Sequence, residues 1–130
     1  MTDKILVIED NSLNLQLVTD LLEASGFGVS HARTAEDGLR QAREDSPELI
    51  LMDLSLPGMD GLAATKALRA DASINHLTVI ALTAHAMKGD EEIALRAGCD
   101  GYLAKPIDTR TFIRTITGFL ALAKMRRAAH

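Results

Sequence analysis

The chain lacks most of the features that would take it outside the ordinary globular proteins. It has one cysteine, Cys99, so no disulfide can form within it, and after Gly98 that thiol reads as a small buried hydrophobe. No apolar stretch approaches the roughly 20 residues that a membrane span requires. Lysine and arginine number 14 against 18 acids, and the resulting net charge of −4 offers no basic footprint for nucleic acid. The one basic cluster, Lys124, Arg126 and Arg127, is what a solvated helix end favoured by the macrodipole would carry. Met-Thr-Asp-Lys runs directly into an apolar segment, which leaves no room for a signal peptide, so a cytoplasmic location is expected. None of His31, His76, His85 and His130 has metal-ligand spacing. With 130 residues there is room for one domain with a single core, and not for a second of ordinary size.

What the chain does have is a series of short apolar runs with polar ends. Ile5-Leu6-Val7-Ile8 leads into Glu9-Asp10, Leu49-Ile50-Leu51-Met52 into Asp53, Val79-Ile80-Ala81-Leu82 into Thr83, and Tyr102-Leu103-Ala104 into Lys105-Pro106. Such runs mark strands buried on both faces, as in a parallel sheet covered by helices. Helical patterns alternate with them, which predicts an α/β fold. The first helix is expected after Asn11-Ser12 with Leu17, Val18, Leu21 and Leu22 inward and a stop at Gly26. Gly28 to Ala32 is the weakest strand pattern, and Thr34 opens the second helix. Pro57, Gly58 and Gly61 place a loop after Asp53, with helix from about Leu62 to Asp71. Ala84 to Gly98 is poorly tied down by its own residues, whereas the last helix has Asp108 as a cap and Phe112, Ile113, Ile116, Phe119 and Leu120 inward.

If the strands are parallel, their carboxyl ends share one edge, where open α/β sheets hold ligands. Glu9, Asp10 and Asp53 would then repel one another and push at least one carboxyl towards its neutral form, unless a cation offsets the charge. Mg²⁺ suits a few oxygen donors, keeps several waters and bridges to phosphate. Asp53, ending the central run before a Gly/Pro loop, is the candidate nucleophile, since a carboxylate can accept a phosphoryl group as an acyl phosphate. Lys105 would neutralise charge and Thr83 would donate to a phosphoryl oxygen.

In these residues, taken in this order, the chain resembles the receiver domain of bacterial two-component response regulators over essentially its whole length. Glu9-Asp10, Asp53 with Pro57 and Gly58, Thr83-Ala84, and Lys105-Pro106 with Tyr102 carry the resemblance. It implies a doubly wound five-stranded parallel sheet of order 2-1-3-4-5 flanked by five helices, an arrangement for which flavodoxin and a receiver are the standard examples. The receiver would span 1–124, followed by a short tail at 125–130. Asp10, Asp53 and the backbone carbonyl of Ser55 would ligate Mg²⁺, with Glu9 acting through water, and Lys105-Pro106 would be cis. The expected activity is acceptance of a phosphoryl group on Asp53 from a phosphohistidine of a histidine kinase or phosphotransfer protein. A switch through Thr83 and Tyr102 would then alter a protein-binding face formed by the fourth helix, fifth strand and fifth helix. Ser55 and His85 would flank the hydrolytic water, and neither suits orienting it, so self-dephosphorylation is expected to be slow. The runs Val7 to Asn11 and Ala84 to Glu91 are similar to the DivK type of stand-alone division-control regulator, and also to receivers of hybrid kinases. With no effector segment after the last helix, output by protein contact is expected. Two other readings compete: an aspartyl-nucleophile phosphohydrolase, although Ser55 stands where the dehalogenase-like type wants a second acid, and a scaffold that works without phosphorylation.

Overall fold

The central strands of the computed structural model are covered on both faces by helices, which suits the apolar runs Ile5 to Ile8, Leu49 to Met52 and Val79 to Leu82. Residues 3–56, 58–84 and 89–128 are described, with side chains to Arg126; Pro57 and His85 lie outside them. The order is β1 (Lys4–Ile8), α1 (Ser12–Ala24), β2 (Gly28–Ala32), α2 (Ala35–Asp45), β3 (Leu49–Asp53), α3 (Gly61–Ala70), β4 (Thr78–Thr83), α4 (Asp90–Ala97), β5 (Gly101–Ala104) and α5 (Phe112–Ala128). All four strand pairings are parallel and the spatial order is β2-β1-β3-β4-β5. The expected α/β architecture and strand order are therefore observed.

The two-residue period of the strands divides the core. Leu6, Ile8, Ile50, Met52, Val79 and Ala81 face α2, α3 and α4, through Leu39, Leu68 and Ala94 among others. Ile5, Val7, Leu49, Leu51, Ile80 and Leu82 face α1 and α5, through Val18, Leu22, Phe112, Ile116 and Leu120. On α1 the inward positions are Leu15, Val18 and Leu22; Leu17, expected inside, is exposed. A four-residue apolar cluster fits two helical faces, and the presence of Leu15 one turn before Val18 and Leu22 selects the other one. Asn11 and Thr34 cap α1 and α2 by accepting from Asn14 and Asp37 backbone N–H groups. Asp108 starts the turn that leads into α5, accepting from Arg110 N–H on its side chain and from Phe112 N–H on its carbonyl. The segment expected as a tail from 125 is helical as far as Ala128. Its basic residues make pairs within the protein, Lys124 with Asp3 at 2.9 Å and Arg126 with Asp100 at 3.0 Å.

At the pole where the strands begin, Arg69 of α3 gathers several backbone groups. Its guanidinium donates to the carbonyls of Gly98, Asn75 and Leu77 at 2.9, 2.8 and 2.6 Å, and to Asp100 Oδ2 at 2.8 Å. Asp100 also accepts from Val79 N–H at 2.9 Å.

At the other pole, α3 starts hard against the end of β3. Asp60 accepts from Ala63 N–H, and a Cβ on Gly61 would meet the Asp53 carbonyl oxygen and lie 2.7 Å from Leu54 Cα. Both are backbone atoms, so the strand end would have to move. Gly118, inside α5, has open space where its Cβ would stand. Gly61→Ala should therefore destabilise the protein by about 2 kcal/mol, whereas Gly118→Ala should stabilise it by about 0.5–1 kcal/mol. Denaturant unfolding of the two variants checks the opposite signs; equal effects would remove the steric argument.

Candidate functional site

The sheet reverses its direction of winding between β1 and β3, and the carboxyl ends of these two strands carry the acids. β1 pairs with β3 through Ile8 and Met52, so Glu9 and Asp53 follow as neighbours across the strand ends. Glu9 and Asp53 are 1% and 2% exposed, while Asp10 reaches solvent. One oxygen from each of the three carboxylates lies within 4.8 Å of the others. β5 delivers the cation. Its last residue, Ala104, pairs with Thr83 of β4, and the Lys105 N–H donates to the Thr83 carbonyl at 2.7 Å. The Lys105 ammonium then donates to Glu9 Oε1 and Oε2 at 3.0 and 3.2 Å and stands 3.3 Å from Asp53 Oδ2. Lys105–Pro106 is cis.

These contacts divide the protons unequally. Burial, together with the hydrogen bond to Asp53, raises Glu9 from 4.5 to about 7, against the opposing effects of Lys105 and the Asn14 side chain. Burial acts on Asp53 in the same direction but is outweighed by the hydrogen bond from Glu9, the Ser55 N–H at 2.9 Å and the Lys105 charge, so Asp53 stays below its ordinary value. Lys105 is held above its ordinary value because the Glu9 hydrogen bond and the two acidic charges outweigh its desolvation. Without a metal, the carboxyl driven towards neutrality is Glu9, and Asp53 keeps its charge.

The donor set fits a hard divalent ion. All three clustered donors are carboxylate oxygens, two buried and one on the open side, which leaves space for the waters that Mg²⁺ retains. Ser55 lies in the turn after β3 and Thr83 is buried at the end of β4, so both stand at the same edge. Tyr102 is half-buried against the α4-side core, and desolvation together with Asp90 and Glu91 of α4 raises its phenol. The structure thus brings together Glu9, Asp10, Asp53, Ser55, Thr83 and Lys105, with Tyr102 on β5 three residues before the lysine. Two neighbours carried no signal in the sequence. Asn14 bonds to Glu9 from the first turn of α1, and Arg33, beyond the weakest strand pattern, reaches the Asp10 carbonyl and Ser12. Neither belongs to a periodic apolar pattern or to a charged cluster.

Known proteins resemble this chain in sequence and fold. Residues 5–117 match the family model of the response regulator receiver domain. The polar-differentiation response regulator DivK of Brucella ovis is 48% identical over 120 residues, covering 92% of this chain and 98% of DivK. A solved receiver domain of a sensor histidine kinase from Pseudomonas aeruginosa, with a magnesium ion coordinated in its active site cleft, aligns with a TM-score of 0.85. It is 34% identical, over 93% of this chain and 99% of that one. A CheY-like receiver protein from Methanospirillum hungatei aligns with a TM-score of 0.88 at 26% identity, over 97% and 99% of the two chains.

The raised Glu9 pKa has a defined pH signature in metal-free protein. The native state binds this proton more tightly than the unfolded chain does. The associated stability is fully present below about 4.5 and is lost as pH rises through about 7. The lowered Asp53 pKa acts in the opposite sense, its stability being lost as pH falls below the ordinary aspartate range. In EDTA, the melting temperature of the wild type relative to Glu9→Gln should fall as pH rises from 5 to 8, across the interval between those two pKa values. A difference that stays flat across this range would contradict the assigned proton.

Proposed function

The chain belongs to the response regulator receiver family, similar to DivK over nearly the whole of that protein, and on this premise we propose that Asp53 is its phosphoryl acceptor. The observation that carries the reading is the Lys105 ammonium between Glu9 and Asp53, at 3.0 and 3.3 Å, beside the exposed carboxylate of Asp10. Phosphoryl transfer depends on positioning and charge neutralisation, and this edge has residues for both. An Asp53 carboxylate oxygen forms the new P–O bond as the P–N bond of a phosphohistidine breaks, and the electron pair of that bond leaves with the imidazole. The Ser55 N–H on Oδ1 fixes the Asp53 rotamer. Lys105 retains its hold on the acceptor side as charge moves onto the phosphoryl oxygens.

Receivers as a family bind Mg²⁺ at an acidic pocket and take their phosphoryl group from histidine kinases or phosphotransfer proteins. In this chain Asp10, Asp53 and the Ser55 carbonyl would hold Mg²⁺, with Glu9 acting through water. The ion, when bound, supplies positive charge facing the phosphoryl oxygens. Thr83 would donate its hydroxyl to the phosphoryl group, and its carbonyl bond to Lys105 N–H links that movement to β5 and Tyr102. The surface of α4, β5 and α5 would present the result to a downstream protein. The Ser55 side chain, a small hydroxyl, leaves the hydrolytic water poorly oriented, so the acyl phosphate is long-lived. A cytoplasmic location belongs to the same proposal; among the described residues no helix is long and apolar enough to cross a membrane.

Intact-mass measurement with acetyl phosphate should show one phosphoryl group added to the wild type only when Mg²⁺ is present. Asp53→Asn should abolish the adduct and Asp10→Asn should sharply reduce it; an undiminished rate in Asp53→Asn would remove Asp53 as acceptor. Thr83→Ala should still be phosphorylated but lose most of the phosphorylation-dependent change in amide exchange across residues 89–104. A response matching the wild type would reduce Thr83 to a strand residue.

A further inference from the structure

The geometry points to Arg33 as a positioning residue for Asp10, an inference that rests on the metal reading of the acidic cluster given above. β2 is an edge strand with only one fully buried residue, Ala32, yet its register is maintained past its end. Ile8 pairs with Ala32, and the Glu9 N–H donates to the Ala32 carbonyl at 3.0 Å. Asp10 and Arg33 are the residues that follow this bonded pair, and the Arg33 side chain reaches the loop between β1 and α1. Its guanidinium donates from Nη2 to Ser12 Oγ at 2.6 Å and from Nη1 to the Asp10 carbonyl at 3.4 Å. Ser12 is the first residue of α1, following the Asn11 cap. One planar fork therefore grips the Asp10 backbone and the start of the helix that follows it.

The choice of the carbonyl is what gives Arg33 this role. Lys105 contacts carboxylates and neutralises them, whereas the recorded contact of Arg33 is to the Asp10 backbone, so the carboxylate is oriented without being consumed. Asp10 is the exposed member of the cluster, and unlike Glu9 and Asp53 it is not held by burial. A metal ligand on a loop requires outer partners to fix it, and losing such partners commonly weakens metal binding by about 10–100-fold. Arg33 also carries a positive charge near a cation site. By Coulomb's law alone its removal would tighten Mg²⁺ binding, so the direction of the effect separates positioning from charge.

The test is calorimetric titration of MgCl₂ into the metal-free full chain as wild type, Arg33→Ala, Arg33→Lys and Ser12→Ala, with amide exchange across residues 9–15 in EDTA. Positioning predicts that Arg33→Ala weakens Mg²⁺ binding about tenfold and speeds exchange around residues 10–14. Arg33→Lys should be nearly as weak, because an ammonium lacks the fork, and Ser12→Ala should fall between Arg33→Ala and the wild type. Unchanged or tighter binding in Arg33→Ala, or full restoration by lysine, would overturn the role while leaving the metal site standing. A wild type that binds no Mg²⁺ would instead overturn the metal reading, and this inference with it.

Discussion

The bridge from Lys105 to Glu9 and Asp53 is the contact on which the arrangement at the sheet edge depends. Two carboxylates almost fully removed from water would each face a desolvation penalty of several kcal/mol without compensation. The ammonium compensates only because three strands end in register: β1 supplies Glu9, β3 supplies Asp53, and β5, through the Thr83–Lys105 backbone bond, sets where the lysine begins. Shifting any one strand by a residue would turn its last side chain to the opposite face. The parallel register is therefore a condition of the site as well as of the core.

One cation cannot satisfy three anions, and the remaining imbalance shapes the chemistry. Glu9 takes up the proton that the metal-free cluster needs, which leaves Asp53 anionic, the state that the proposed acceptor role requires. Burial alone would have neutralised both. The difference comes first from the hydrogen bond that Glu9 gives Asp53, and then from the Ser55 N–H, a donor offered by the turn that follows β3, and from the Lys105 charge. Gly61 lets α3 approach this turn closely enough to hold it, with Asp60 capping the helix.

The sequence is most legible where a residue's environment repeats. Strands β1, β3 and β4 carry unbroken apolar runs of four residues because both faces are covered, and the polar residues that close them stand out as interruptions. Glu9, Asp53, Thr83 and Lys105 could be read because each follows such a run, whereas Ser55 and Tyr102 came only from the family resemblance. On α1 the faces are harder to tell apart, since Leu17 has helical spacing to Leu21 while Leu15 has it to Val18 and Leu22, and only packing against β1 and α5 decides between them. The extent of α5 went unread past 124 because Lys124 and Arg126 look like solvated ends, while their partners Asp3 and Asp100 lie far away in sequence. Arg33 was invisible for the same reason: its partners are a carbonyl and a hydroxyl more than 20 positions away.

The Arg69 cluster gives α4 two unlike ends. At its C-terminus, Gly98 adopts φ +112 and its carbonyl is gripped by Arg69, which also holds Asp100, itself bonded to β4 and α5. At its N-terminus, Gly89 precedes the helix without a side-chain cap. A helix held in this way at its C-terminal end would, on any displacement, turn about that end. On such a turn the largest travel would fall at Asp90 and Glu91, the two acids whose charges raise the Tyr102 phenol.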